Sequence, residues 1–126
     1  IEKMIYHLAI YIFLNIGQIL IYVIIGVSLI FGSLAFILTK DNAQYYLAGY
    51  NTMSKEQREQ IDIEAYLTVF KQAHITLAIS TLVLGVVTLL WFGDRSAALF
   101  ISIYPLLFYG YFFFKMYPLF KQKKLK

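Results

Sequence analysis

MIYHLAIYIFLNIGQILIYVIIGVSLIFGSLAFILT, residues 4–39, runs for 36 residues without an aspartate, glutamate, lysine or arginine. As a helix that stretch is about 54 Å long at 1.5 Å per residue, whereas a bilayer's hydrocarbon core is about 30 Å thick. Residues 72–93 (22 residues) and 96–114 (19 residues) repeat the pattern, so 77 of 126 positions fall in three uncharged runs. Backbone polar groups that meet lipid must be satisfied within their own segment, and a helix does this. The expected fold is therefore an all-α integral membrane protein with three transmembrane helices, the first unusually long. Only Asp94 and Arg95 separate the second and third runs, in a turn of about residues 93–96, which makes those two a tight antiparallel hairpin.

The composition agrees. Apolar residues make up 60% and charged residues 14%, against about 45–50% and about 25% in an average soluble domain. This excludes a soluble enzyme, a secreted disulfide scaffold and a nucleic-acid-binding module. With no cysteine there is no disulfide, thiolate nucleophile, zinc–thiolate site or acyl-cysteine anchor, so attachment must come from the helices. Residues 1–20 do not read as a cleavable leader, because the apolar stretch outruns the usual length and no small-x-small signal follows.

The chain reads as one membrane domain: a first span over about 15–39 with a helical outer extension 1–14, a polar loop and helix over 40–71, spans over 72–93 and 96–117, and a basic tail over 118–126. Three crossings sort the cations into two groups. Lys3 and Arg95 lie on one side and the other nine lysines and arginines on the other. Positive charge near span ends is retained in the cytoplasm, which predicts a multi-pass plasma-membrane protein with its N-terminus outside and its C-terminus inside. Lys121, Lys123, Lys124 and Lys126 then face the anionic headgroups of the inner leaflet. Trp91 and Phe92 suit the outer interfacial belt, and Tyr45, Tyr46, Tyr50 and Tyr117 the inner one.

Polar residues inside the spans mark candidate contact faces. Lys3, His7, Tyr11, Asn15, Gln18 and Tyr22 recur at intervals of three or four, one stripe of a continuous helix. Span amides usually turn toward other helices, so this stripe is expected to pack against the chain's own second and third helices, or else to meet a partner protein or polar cavity. A matching seam is His74, Ala78, Thr81, Gly85 and Thr88, with small residues that allow close approach. His7, Tyr11, Asn15, Gln18, Tyr22, Thr81, Gly85 and Thr88 are thus the candidate helix-packing or partner-binding residues. Pro105 is expected to bend the third span, freeing carbonyls for Ser102 or neighbours to satisfy, and Pro118 to end it.

The loop carries the most local information. Gly49 and Asn51 permit a turn; Ser54 is a good N-cap, Gln57 completes a capping box, and Glu56 suits the positive end of a helix dipole. A helix should start at Lys55 and, with no Gly or Pro between Ser54 and Gly85, is expected to continue into the second span. Residues Gly49, Tyr50, Asn51, Thr52, Met53 and Ser54 form a candidate docking motif. The run AGYNTMSKEQREQID, residues 48–62, resembles the signature of a family of small uncharacterised membrane proteins of Gram-positive bacteria, whose members read roughly AGYNTMSKEEKEKYD between two apolar spans. Gln57 and Ile61 depart from that pattern, as does the long first helix. The resemblance implies a bacterial plasma membrane and adds no activity, cofactor or catalytic residue.

No catalytic, cofactor or metal site is expected. His7 and His74 lie at opposite ends of their spans, no phosphate loop or HExxH occurs, and Glu56, Glu59, Asp62 and Glu64 read as a solvated helix face. The function expected is non-enzymatic: binding another membrane component, as an accessory subunit or an immunity or self-protection protein, with a membrane-protein partner or a second copy, lipid and anionic headgroups as contacts, and no nucleic acid. The alternative is a subunit of an oligomeric channel or small transporter lined by Asn15, Gln18, Thr81 and Thr88; the absence of charge within the spans argues against a coupled pump.

Overall fold

The computed structural model describes residues 1–43 and 53–121. Among them the chain forms four helices: α1 (Glu2–Ile37), the short α2 (Lys55–Glu59), α3 (Ile63–Phe92) and α4 (Asp94–Lys121). Helices α1, α3 and α4 are each long and apolar enough to cross a membrane, which makes this a multi-pass, all-helical membrane protein. Its outer surface fits that medium. Leu29, Ile30, Leu90, Trp91, Leu106, Leu107 and Phe114 are all exposed, a continuous apolar coat that water would not tolerate but lipid solvates.

Helix α3 is the central element, packed along both α1 and α4, while α1 and α4 meet each other only narrowly. Two apolar clusters hold the ends. Near the α3–α4 turn Leu20 and Ile24 of α1 meet Leu89 of α3 and Ala97 of α4. At the other end Tyr66, Phe112 and Met116 form a second cluster, with Leu38, Phe70 and Phe108 around it. The α1–α3 register is antiparallel, since Gly85 lies against Ile24 and Gly32 against Ala78.

One residue makes the hairpin turn. Gly93, at φ 92° and ψ −179°, is the only residue between α3 and α4 outside a helix. Its N–H donates to the Leu89 carbonyl at 3.2 Å, and its own carbonyl accepts from Ala97 at 3.1 Å, so it closes one helix and opens the next. Helix α1 runs unbroken through Asn15 and Gly17. Its exit is capped by Asn42, whose amide donates to the Ile37 carbonyl (2.7 Å) and accepts from the Thr39 N–H (2.7 Å), supplying a partner to a carbonyl that the helix end leaves bare.

Two expectations need correction. The helix that starts at Lys55 does not continue into the second span: α2 stops at Glu59, and Asp62 caps α3 by accepting from the Ala65 N–H at 3.1 Å. An aspartate side chain competes with the helical ladder and favours a new N-cap, so no Gly or Pro was needed for the break. Nor does Pro118 end α4, which proceeds to Lys121. The ring of proline fixes φ near the helical value and removes one donor, which the chain beyond can survive.

Candidate functional site

The α1–α3 seam is built from small residues. Ile24 is completely buried against Gly85, where an added Cβ would stand 3.1 Å from Ile24 Cγ2. One turn away, Ser28 and Thr81 are both buried, and neither hydroxyl has a hydrogen-bond partner. Further along, Ala78 meets Gly32, and buried Ala35 of α1 and His74 of α3 complete the row. Thr88 is half-buried and donates to the carbonyl of Leu84 on its own helix at 2.6 Å. Thr81 and Gly85 therefore belong to the packing of α1 against α3.

His74 anchors α4 to α3. Its Nδ1 lies 2.9 Å from the Phe70 carbonyl, which can only accept, so Nδ1 carries the hydrogen. Its Nε2 is hydrogen-bonded to the Tyr109 hydroxyl, 3.0 Å away. Phe70 stacks on the ring at 4.1 Å between centroids, and Phe112 closes it edge-on. Nearer the Gly93 turn, Tyr104 reaches Ser80 Oγ at 2.7 Å, and Ser80 itself donates to Leu77. The sequence puts His74 on a seam but does not name Tyr109 as its partner, because a tyrosine hydroxyl on an aromatic-rich span is its only sign.

The polar stripe of α1 lies elsewhere. Lys3, His7, Tyr11, Gln18 and Tyr22 are exposed and Asn15 is half-buried, so the stripe does not pack against the chain's other helices. The face turned toward α3 is instead Leu20, Ile24, Ser28 and Ala35. Asn15 tolerates its position because its amide donates to the Tyr11 carbonyl one turn back, at 2.7 Å; Ser33, Thr88 and Ser102 do the same with Leu29, Leu84 and Ala98. Ser102 thus serves Ala98 rather than the carbonyl that Pro105 frees. With Thr81 enclosed in the seam and Gln18 outside it, the four residues considered for a pore lining share no common surface of this chain.

Helix α1 also overhangs the bundle. Gly17 sits beside the Asp94 carboxylate at the hairpin turn, 3.1 Å from where its Cβ would be. Residues 2–16 therefore rise beyond the turn by about 22 Å at 1.5 Å per residue. Residues 1–14 are exposed throughout, with Phe13 at 76% and Leu14 at 74%. This is apolar helix that no other described residue covers.

At the opposite end the capping box is formed in full: the Gln57 N–H donates to Ser54 Oγ (3.2 Å) and Gln57 Oε1 accepts from the Ser54 N–H (3.0 Å). Lys40 reaches Glu64 at 3.0 Å, an exposed pair that ties the end of α1 to the start of α3 at little net energy. Met53 is half-buried. Gly49, Tyr50, Asn51 and Thr52 lie outside the described residues, as do Lys123, Lys124 and Lys126, and of Lys121 only the helical backbone is described. Among the described residues no three histidine, cysteine, aspartate or glutamate side chains converge on a possible metal position.

No curated protein and no solved structure matches this chain. A family profile does, over residues 23–118, which takes in the seam, the capped α2, the hairpin and the His74–Tyr109 contact and leaves the overhang of α1 outside. The match covers most of the sequence, and the chain belongs to the family described as a domain of unknown function, DUF3784.

Proposed function

We propose that this protein is a non-enzymatic binding module of the bacterial plasma membrane, which acts by engaging another membrane component as an accessory subunit or a self-protection factor. One observation carries the reading: the apolar, stripe-bearing start of α1 stands clear of the hairpin with Tyr11, Phe13 and Leu14 exposed. A helix that is apolar on nearly every side is stable only when something covers it. Lipid can cover the part within the bilayer. The part that rises about 22 Å past the charged turn at Asp94 and Arg95 calls for a partner surface, or for the helix to be drawn into the headgroup layer. Its polar stripe offers that partner His7 and Tyr11 for hydrogen bonds within an otherwise greasy contact. The cation bias, two against nine, supports an orientation with this end outside the cell and the loop and basic tail inside.

Photo-crosslinking tests it. A benzophenone side chain placed at Tyr11 or Phe13 should give a discrete protein adduct in native membranes, and the same probe at Leu107, on the lipid-facing side of α4, should not. Adducts equally absent, or equally diffuse, at all three positions would remove the proposal.

A further inference from the structure

We infer that the groove between α3 and α4 on the loop side of the bundle is a binding site for one anionic glycerophospholipid, with Lys115 holding the phosphate. The groove encloses about 200 Å³, and Gln72, Thr76, Tyr111 and Lys115 line it above a floor that includes Ala73 and Phe108. Lys115 is the single charge on its wall, and no carboxylate lines it. All four polar side chains are exposed, and none of them bonds to another described residue, so their donors are available to a ligand.

Depth argues for a lipid. The His74–Tyr109 contact fixes the α3–α4 register and sets Lys115, six residues past Tyr109, about 9 Å nearer the loop end. Lys115 is also the first charge after the uncharged run 96–114, the position at which an ammonium reaches the headgroup layer while its methylenes stay in the apolar layer. Gln72 and Tyr111 follow about one turn deeper, at the level of glycerol ester oxygens, and Thr76 a turn below that. Val69, Ala73, Phe108 and Phe112 line the groove between these polar groups, an aromatic and aliphatic wall against which the first methylenes of an acyl chain can lie. The site is separate from the α1 overhang and does not depend on any partner there.

The experiment is native mass spectrometry of the whole protein extracted into mixed micelles holding equal phosphatidylglycerol and phosphatidylcholine. The wild-type protein should retain the anionic lipid over the neutral one by about fivefold, the increment expected of one interfacial lysine. Lys115→Gln should bring that ratio close to one, whereas Lys71→Gln, which removes a cation stacked on Phe36 outside the groove, should leave it unchanged. Ala73→Phe, which fills the floor, should lower retention of both lipids. A wild-type ratio near one, or equal losses from Lys71→Gln and Lys115→Gln, would overturn the site. Excess inorganic phosphate should not displace the lipid; if it does, the groove is a free-phosphate site and the lipid assignment fails.

Discussion

Gly85 is the residue on which the approach of α1 to α3 turns. A methyl group there would meet three side-chain carbons of Ile24 at 3.1–3.4 Å, and Ile24 is fully enclosed, with no free direction in which to yield. Gly85→Leu should therefore lower the stability of the bundle by about 1–3 kcal/mol, the usual cost of overpacking a filled interior. Gly110→Leu is the matched control, because nothing lies within 4 Å of its Cβ position, and it should change stability little. Unfolding by steric trapping in bicelles measures both; equal effects would show that the Ile24–Gly85 contact is not what brings the helices together. Glycine at 93 has a different reason. Its φ of 92° with ψ near 180° belongs to a region that side chains other than hydrogen rarely enter.

At the scale of elements, Ser54 decides whether α2 exists at all. Five residues make a helix too short to persist on propensity alone, so its two reciprocal side-chain bonds, Ser54 with Gln57, carry a large share of its stability. Ser54→Ala should cost α2 about 1 kcal/mol, seen as roughly fivefold faster amide exchange over residues 57–61 with α3 unaffected. Unchanged exchange there would mean that the loop, and not the cap, orders this helix. This element and the three long helices were legible in the sequence because their signals are local: an N-cap with glutamine three residues on, and runs free of charge. The face that α1 turns inward was not legible. The polar stripe from Lys3 to Tyr22 and the buried row Leu20, Ile24, Ser28 both recur at helical spacing, and periodicity alone cannot rank them. Shape complementarity to Gly85 chose the second, and Asn15 could remain outside because its own backbone satisfies it. The division between α2 and α3 was missed for a related reason. In the sequence Asp62 reads as one more surface charge, whereas its carboxylate caps the next helix.

At the scale of the whole molecule, three lengths agree. From Gly17 to Ile37, from Gln72 to Phe92 and from Ser96 to Lys115, each helix offers about 30 Å, the thickness of a hydrocarbon core. The hairpin thus fits the bilayer, and α1 exceeds it at the Gly93 end. An odd number of crossings puts the two ends of this chain in different compartments, and the proposed orientation has the first of them outside the cell. The absence of cysteine makes the direct test straightforward: single cysteines at Glu2 and Lys121, probed in intact cells with a membrane-impermeant maleimide. Labelling of the first before lysis and of the second only after it is the result expected; both ends reacting from the same side would contradict the three-crossing arrangement on which the whole account is built.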